Sequence, residues 1–108
     1  MSEFAYLDEL FAEIEKRRAF DPNESYTAQL LADVPRASRK LGEEAVETVV
    51  AALSGTDQEL LAEMADLTYH LLALLAARGL SPEQVIVILR ARQGVSGLAE
   101  KAARQDKA

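Results

Sequence analysis

Two short acidic runs hold the residues best suited to chemistry. Glu43, Glu44 and Glu47 form Glu-Glu-x-x-Glu inside KLGEEAVETVV (40–50), and Glu63 and Asp66 form Glu-x-x-Asp in the next apolar segment. Carboxylates this close raise one another's pKa unless cations neutralise them. A merely solvated helix face would place them opposite the apolar stripe. At about 100° per residue with Glu43 at the origin, Glu47 falls at about 40°, Lys40 at about 60° and Glu44 at about 100°. Val46, Val49, Val50 and Leu53 fill the adjoining sector, and the far sector holds Leu41, Ala45 and Ala52. The carboxylates therefore border the valine stripe expected to pack the helix. In the second segment Glu59, Glu63, Asp66 and His70 make a similarly tight sector beside a leucine face.

Only Ser54-Gly55-Thr56 separates the two segments. As antiparallel helices they would set Glu43–Glu47 opposite Glu63–Asp66. Converging carboxylates suit hard divalent ions, Mg2+ or Mn2+, which keep positions open for substrate phosphates. That is the chemistry of metal-assisted phosphoanhydride cleavage. A di-iron bundle would also pair acidic helices, but it wants Glu-x-x-His, and here Asp66 holds that place. His70, the only histidine, is read as a core-edge residue bonded to Asp66 one turn back. Lys40, four residues before Glu44, either offsets charge along the helix or contacts a phosphate.

The elements that must position these groups are helical. Phe4, Leu7, Leu10, Phe11 and Ile14 recur at helical spacing and predict a helix over 3–19. Asp21-Pro22-Asn23-Glu24 ends it, and Ser25 caps a short helix over 26–33, with Tyr26, Leu30 and Val34 facing inward. Pro35 opens a helix to about Leu53. Thr56-x-x-Glu59 is a capping box for a helix reaching Gly79, a suitable C′ residue. Ser81-Pro82-Glu83-Gln84 starts another helix despite the strand-like Val85–Leu89, because no partner strand exists elsewhere. Leu98–Asp106 reads as a charged terminal helix or a frayed tail. The fold class is all-α, an antiparallel helical bundle of four to five helices. The leucine face at 60–75 is wider than one neighbour can cover, so oligomerisation is expected to complete it.

The chain has 108 residues, expected to form one domain over 1–108, and lacks cysteine, which excludes disulfides, thiolate metal sites and a Cys nucleophile. With 18 acidic against 12 basic residues, nucleic-acid backbone binding is not expected. Basic groups gather at Lys16–Arg18, Arg36–Lys40, Arg90–Arg92 and Lys101–Lys107, compatible with a small anionic ligand. No signal peptide or membrane-length apolar run is read, so a cytoplasmic location is expected.

SYTAQLL (25–31), KLGEEAVETVVAAL (40–53), ELLAEMADLTYHLLALLAARGLSPEQV (59–85) and GVSGLAEKAAR (94–104) together resemble the phosphoribosyl-ATP pyrophosphohydrolase family, in the family's order. The acidic motifs alone indicate only the wider all-α, MazG-like nucleotide pyrophosphatase superfamily. The resemblance implies Mg2+-dependent hydrolysis of phosphoribosyl-ATP to phosphoribosyl-AMP and pyrophosphate, the second step of histidine biosynthesis, in a form not fused to the next enzyme of the pathway. It implies Glu44, Glu47, Glu63 and Asp66 as metal ligands and Glu43 as the water-orienting base or an outer carboxylate. Lys40, Ser25, Thr27, Lys101 and Arg104 become candidate substrate contacts. It also implies a homodimer or higher homo-oligomer. Two rivals stand beside this reading: a superfamily relative acting on free or non-canonical nucleoside triphosphates, and a non-catalytic helical domain whose acidic ridge binds a basic partner.

Overall fold

The computed structural model describes residues 3–94 and 97–106. Met1 and Ser2, Val95 and Ser96 of the GVSGLAEKAAR segment, and Lys107 of the last basic group lie outside the described residues. Within them the chain forms six α-helices and no strand: α1 (Ala5–Lys16), α2 (Tyr26–Leu31), α3 (Val34–Ser54), α4 (Asp57–Ala77), α5 (Pro82–Ala91) and α6 (Gly97–Asp106). The all-α expectation holds, but the described residues form six helices rather than four to five, because Ser25 caps a separate short α2 and the terminal segment is helical as α6. The first helix is shorter than its periodicity predicts, because Arg17–Ala19 tighten into a 3-10 turn.

Local signals place the helix ends. Ser25 Oγ accepts the Ala28 N–H at 3.1 Å, and Asp33, with Pro35 behind it, caps α3 through the Arg36 N–H. The Thr56 capping box closes from both sides, with Glu59 N–H donating to Thr56 Oγ1 and Thr56 N–H donating to Glu59 Oε1. Gly79, at φ 71°, ends α4 in a Schellman turn, its N–H on Ala76 O and the Leu80 N–H on Leu75 O. Arg18 donates to Ala76 O at 2.7 Å, setting a cation against the carbonyl end of α4. The strand-like run Val85–Leu89 is helical, as the preceding cap requires.

α4 is the central helix, with α1, α2 and α3 packed against it. Ile14, Leu31, Leu72 and Ala76 form one core cluster, joined by Leu10, Phe11 and Tyr69. Leu30, Ala37 and Ala73 form a second. The start of α3 (Val34, Ser38, Leu41) shares a cavity with the end of α4 (Leu71, Leu74, Arg78). The end of α3 (Val50, Ala51, Ser54) shares another with the start of α4 (Glu59, Ala62, Glu63), so the two helices run antiparallel. By length and composition α4 is also apolar enough to cross a membrane, contrary to the expectation of no such run, although it carries Glu63 and Asp66 at its middle.

The expected packing face of α3 is overturned. The valine stripe does not pack α3 within the chain: Val46, Val49, Val50 and Leu53 are 64%, 56%, 56% and 83% exposed. Ala37 and Glu44 are buried and Leu41, Thr48 and Ala51 half-buried, spaced alternately four and three apart like one side of a coiled-coil seam, with Lys40 and Ala45 half-buried at its flanks. Small residues there admit α4 closely, and the larger valines are turned to the opposite side. Leu61, Met64 and Leu71 of α4 and all of Val85–Leu89 are likewise exposed.

Candidate metal centre

The seam that buries α3 also buries Glu44, 8% exposed midway along it. Thr48, one turn on, donates its hydroxyl to Glu44 O at 2.8 Å and stands 3.4 Å from Glu63 O on α4. A hydroxyl between the two backbones holds the helices together at the level of the carboxylates. Facing Glu44 are Glu63 and Asp66, one turn apart on α4. One carboxylate oxygen from each of the three lies within 4.8 Å of the others. Glu47 stands beside both Glu44 and Glu63, and its carboxylate raises the pKa of each. Ionised, none of these groups has a proton to offer another.

The electrostatics are correspondingly strained. Glu44 Oε2 and Glu63 Oε2 are buried and receive no hydrogen bond. Burial first, and then the neighbouring Glu47, push the pKa values of Glu44 and Glu63 up from the ordinary carboxylate value. Buried oxygens without donors are costly unless a proton or a cation meets them. An all-oxygen set contributed by two rigid helices fits a hard divalent ion better than a softer metal. A cavity of about 430 Å³, lined by Glu47, Glu59, Glu63, Val46 and Val50, opens beside the cluster.

Glu43 lies apart from this cluster. Its Oε2 pairs with Lys40 Nζ at 3.0 Å on the exposed side of α3. The hydrogen bond and charge of Lys40 lower the Glu43 pKa, and Glu43 raises that of Lys40 in return. Lys40 thus engages Glu43 rather than Glu44, and Glu43 is held ionised at the rim. Glu59, pulled down by the Thr56 backbone N–H, serves its helix cap.

Ser25 and Thr27 flank Tyr26 at the start of α2. The Ser25 hydroxyl is used as a cap, and Thr27 Oγ1 is hydrogen-bonded to the Tyr69 hydroxyl. Lys101 and Arg104 are exposed on α6, outside the cluster. His70 is buried and does contact Asp66, through the backbone carbonyl at 2.7 Å. Sequence reasoning did not single out Tyr26 and Tyr69 as polar partners at this site. The Thr27–Tyr69 and Tyr26–His70 pairs span 42 and 44 residues, and no local pattern announces them.

Fold and site together define an all-α protein with a carboxylate cluster, at a seam between antiparallel helices, that could hold a metal ion. Sequence comparison is more specific: residues 7–93 match the phosphoribosyl-ATP pyrophosphohydrolase family, and the chain belongs to that family. It is similar to proteins named phosphoribosyl-ATP pyrophosphatase from three bacteria. The Erythrobacter litoralis protein is 54% identical over 101 residues, covering 93% of this chain and 97% of the relative. That of Caulobacter vibrioides is 56% identical over 98 residues, 91% and 92% of the two chains. That of Parvibaculum lavamentivorans is 52% identical over 102 residues, 94% of each.

Proposed function

We propose that the chain carries out its family's reaction, hydrolysis of phosphoribosyl-ATP to phosphoribosyl-AMP and pyrophosphate in histidine biosynthesis, with Mg2+ held by Glu44, Glu47, Glu63 and Asp66. The observation that carries the metal assignment is the pair of buried, donor-less oxygens on Glu44 and Glu63. Bound there, Mg2+ or Mn2+ would neutralise charge on the triphosphate and make water a better nucleophile.

The chain's own residues do the rest. Helix packing holds four carboxylates in place before substrate arrives, so little reorganisation is needed. Glu43, kept ionised by Lys40, can orient the attacking water or accept its proton at the rim. Water adds across the α–β anhydride, one product carries its oxygen, and pyrophosphate leaves. Lys40 offers a cation to the phosphates, and Ser25, Thr27, Lys101 and Arg104 are proposed substrate contacts. We read the protein as a cytoplasmic homo-oligomer, and the exposed apolar stripes of α3, α4 and α5 support the oligomer.

Pyrophosphate release should be measured with phosphoribosyl-ATP, dUTP, dCTP and ITP, each with Mg2+. Strong preference for phosphoribosyl-ATP is expected. Preference for a free nucleoside triphosphate would transfer the chain to a different substrate. A protein that neither turns over any of them nor gains thermal stability from Mg2+ or Mn2+ would be an acidic interaction domain.

A further inference from the structure

The metal reading leaves a partly buried polar chain unused, running from exposed Tyr26 to buried His70. His70 Nδ1 is 2.7 Å from Asp66 O, and a backbone carbonyl can only accept. Nδ1 therefore carries the proton. In the neutral ring Nε2 is then an acceptor, and the group 2.9 Å from it is the Tyr26 hydroxyl, which must donate. Both ring nitrogens are engaged, so this arrangement leaves none for a metal. Tyr69 stacks edge-on to His70 at 5.0 Å between centroids and holds Thr27 by its hydroxyl. Two polar links thus tie the Ser25–Thr27 turn to α4, and one ends on the backbone of a carboxylate residue in the cluster. Tyr26 also sits near Lys40 and under the Arg36 guanidinium, at the basic edge of the site.

We infer that His70 is a positioning residue: as the Nδ1–H tautomer it takes the Tyr26 hydroxyl and so sets where the Ser25–Thr27 turn stands relative to the carboxylates on α4. This rests on the functional reading above, since it assigns the tether to substrate binding rather than to metal binding. Leu30 and Leu31 anchor the far end of α2 in the two core clusters. Apolar packing is non-directional, and the hydrogen bonds of Tyr26 and Thr27 orient the turn at its start.

Because His70 is the only histidine, long-range 15N–1H NMR at pH 8 reads its tautomer without assignment. The Nδ1–H form is expected in the wild type, with the Nε2 resonance moving in Tyr26→Phe. Amide exchange over residues 25–28 should quicken in Tyr26→Phe and in His70→Leu. His70→Gln, whose carbonyl oxygen can accept from Tyr26, should recover most of the protection. In kinetics, Tyr26→Phe should raise KM about three- to tenfold, the worth of one hydrogen bond, while kcat and the Mg2+ midpoint stay within about twofold. The Tyr26→Phe/His70→Leu double variant should be no worse than His70→Leu alone. An Nε2–H tautomer, unchanged amide exchange, or an unchanged KM in an active Tyr26→Phe enzyme overturns the inference. A wild type without turnover sinks the reaction proposed above instead, and the tautomer and exchange then decide the tether on their own.

Discussion

Glu44 of α3 and Glu63 of α4 face each other across the helix seam, each with a buried oxygen that receives no hydrogen bond. Two unpaired acceptors brought together at the centre of a fold are costly, and they could have been replaced by apolar groups that pack. Their presence favours a ligand over stability, the trade-off common at functional sites.

Glu44→Gln and Asp66→Asn should each lower turnover by about a hundredfold or more, with the helical circular dichroism unchanged. Glu44→Gln should also raise the melting temperature in EDTA while losing the upward shift that Mg2+ gives the wild type. A calorimetric scan with and without Mg2+ separates the two effects. Near-wild-type activity in either variant removes the metal assignment.

The pH dependence follows from the raised values of Glu44 and Glu63. A carboxyl whose folded pKa lies above its unfolded value binds protons better when folded, so its burden on stability is present above the folded pKa and eases as pH falls through it. Glu43 and Glu59 have lowered values and act oppositely, losing their stabilising contribution as pH falls through their folded pKa. Protons and Mg2+ compete for the same cluster oxygens. The Mg2+-induced rise in melting temperature should therefore be larger at pH 8 than at pH 5.5. A shift that does not vary with pH would place the ion elsewhere.

Glu43→Gln separates rim from cluster. It should slow turnover while moving the Mg2+ midpoint less than Glu44→Gln does, because Glu43 pairs with Lys40 outside the three-carboxylate group. Equal losses of Mg2+ affinity in the two variants would make Glu43 a ligand instead.

Val49 and Leu53 are the sharpest test of oligomerisation. Fully covering each of the four exposed residues of the α3 stripe would contribute about 1.5–3 kcal/mol. The Val49→Glu/Leu53→Glu pair should reduce the mass measured by light scattering after gel filtration to that of one chain. A wild type already at monomer mass would show that a second copy does not cover this face.

Thr56, Ser81, Pro35 and Gly79 made the helix limits legible, because caps act within one turn and need no distant partner. Glu43, Glu44, Glu47, Glu63 and Asp66 were legible as a group, since helical period and a short turn confine them to one region. Which face of α3 packs was not. Its small stripe and its valine stripe both satisfy helical periodicity, and only the close approach of α4 selects the small one.

Sequence alone determined the helices, the capped ends of α2, α3, α4 and α5 and the placement of acidic residues on two adjoining helices, all consequences of local backbone chemistry and period. Tertiary structure decided that Glu44 is buried while Glu43 sits at the rim, that the valines face outward, and that Tyr26 meets His70. Those outcomes depend on which surfaces exclude water, and that is settled only when distant segments pack.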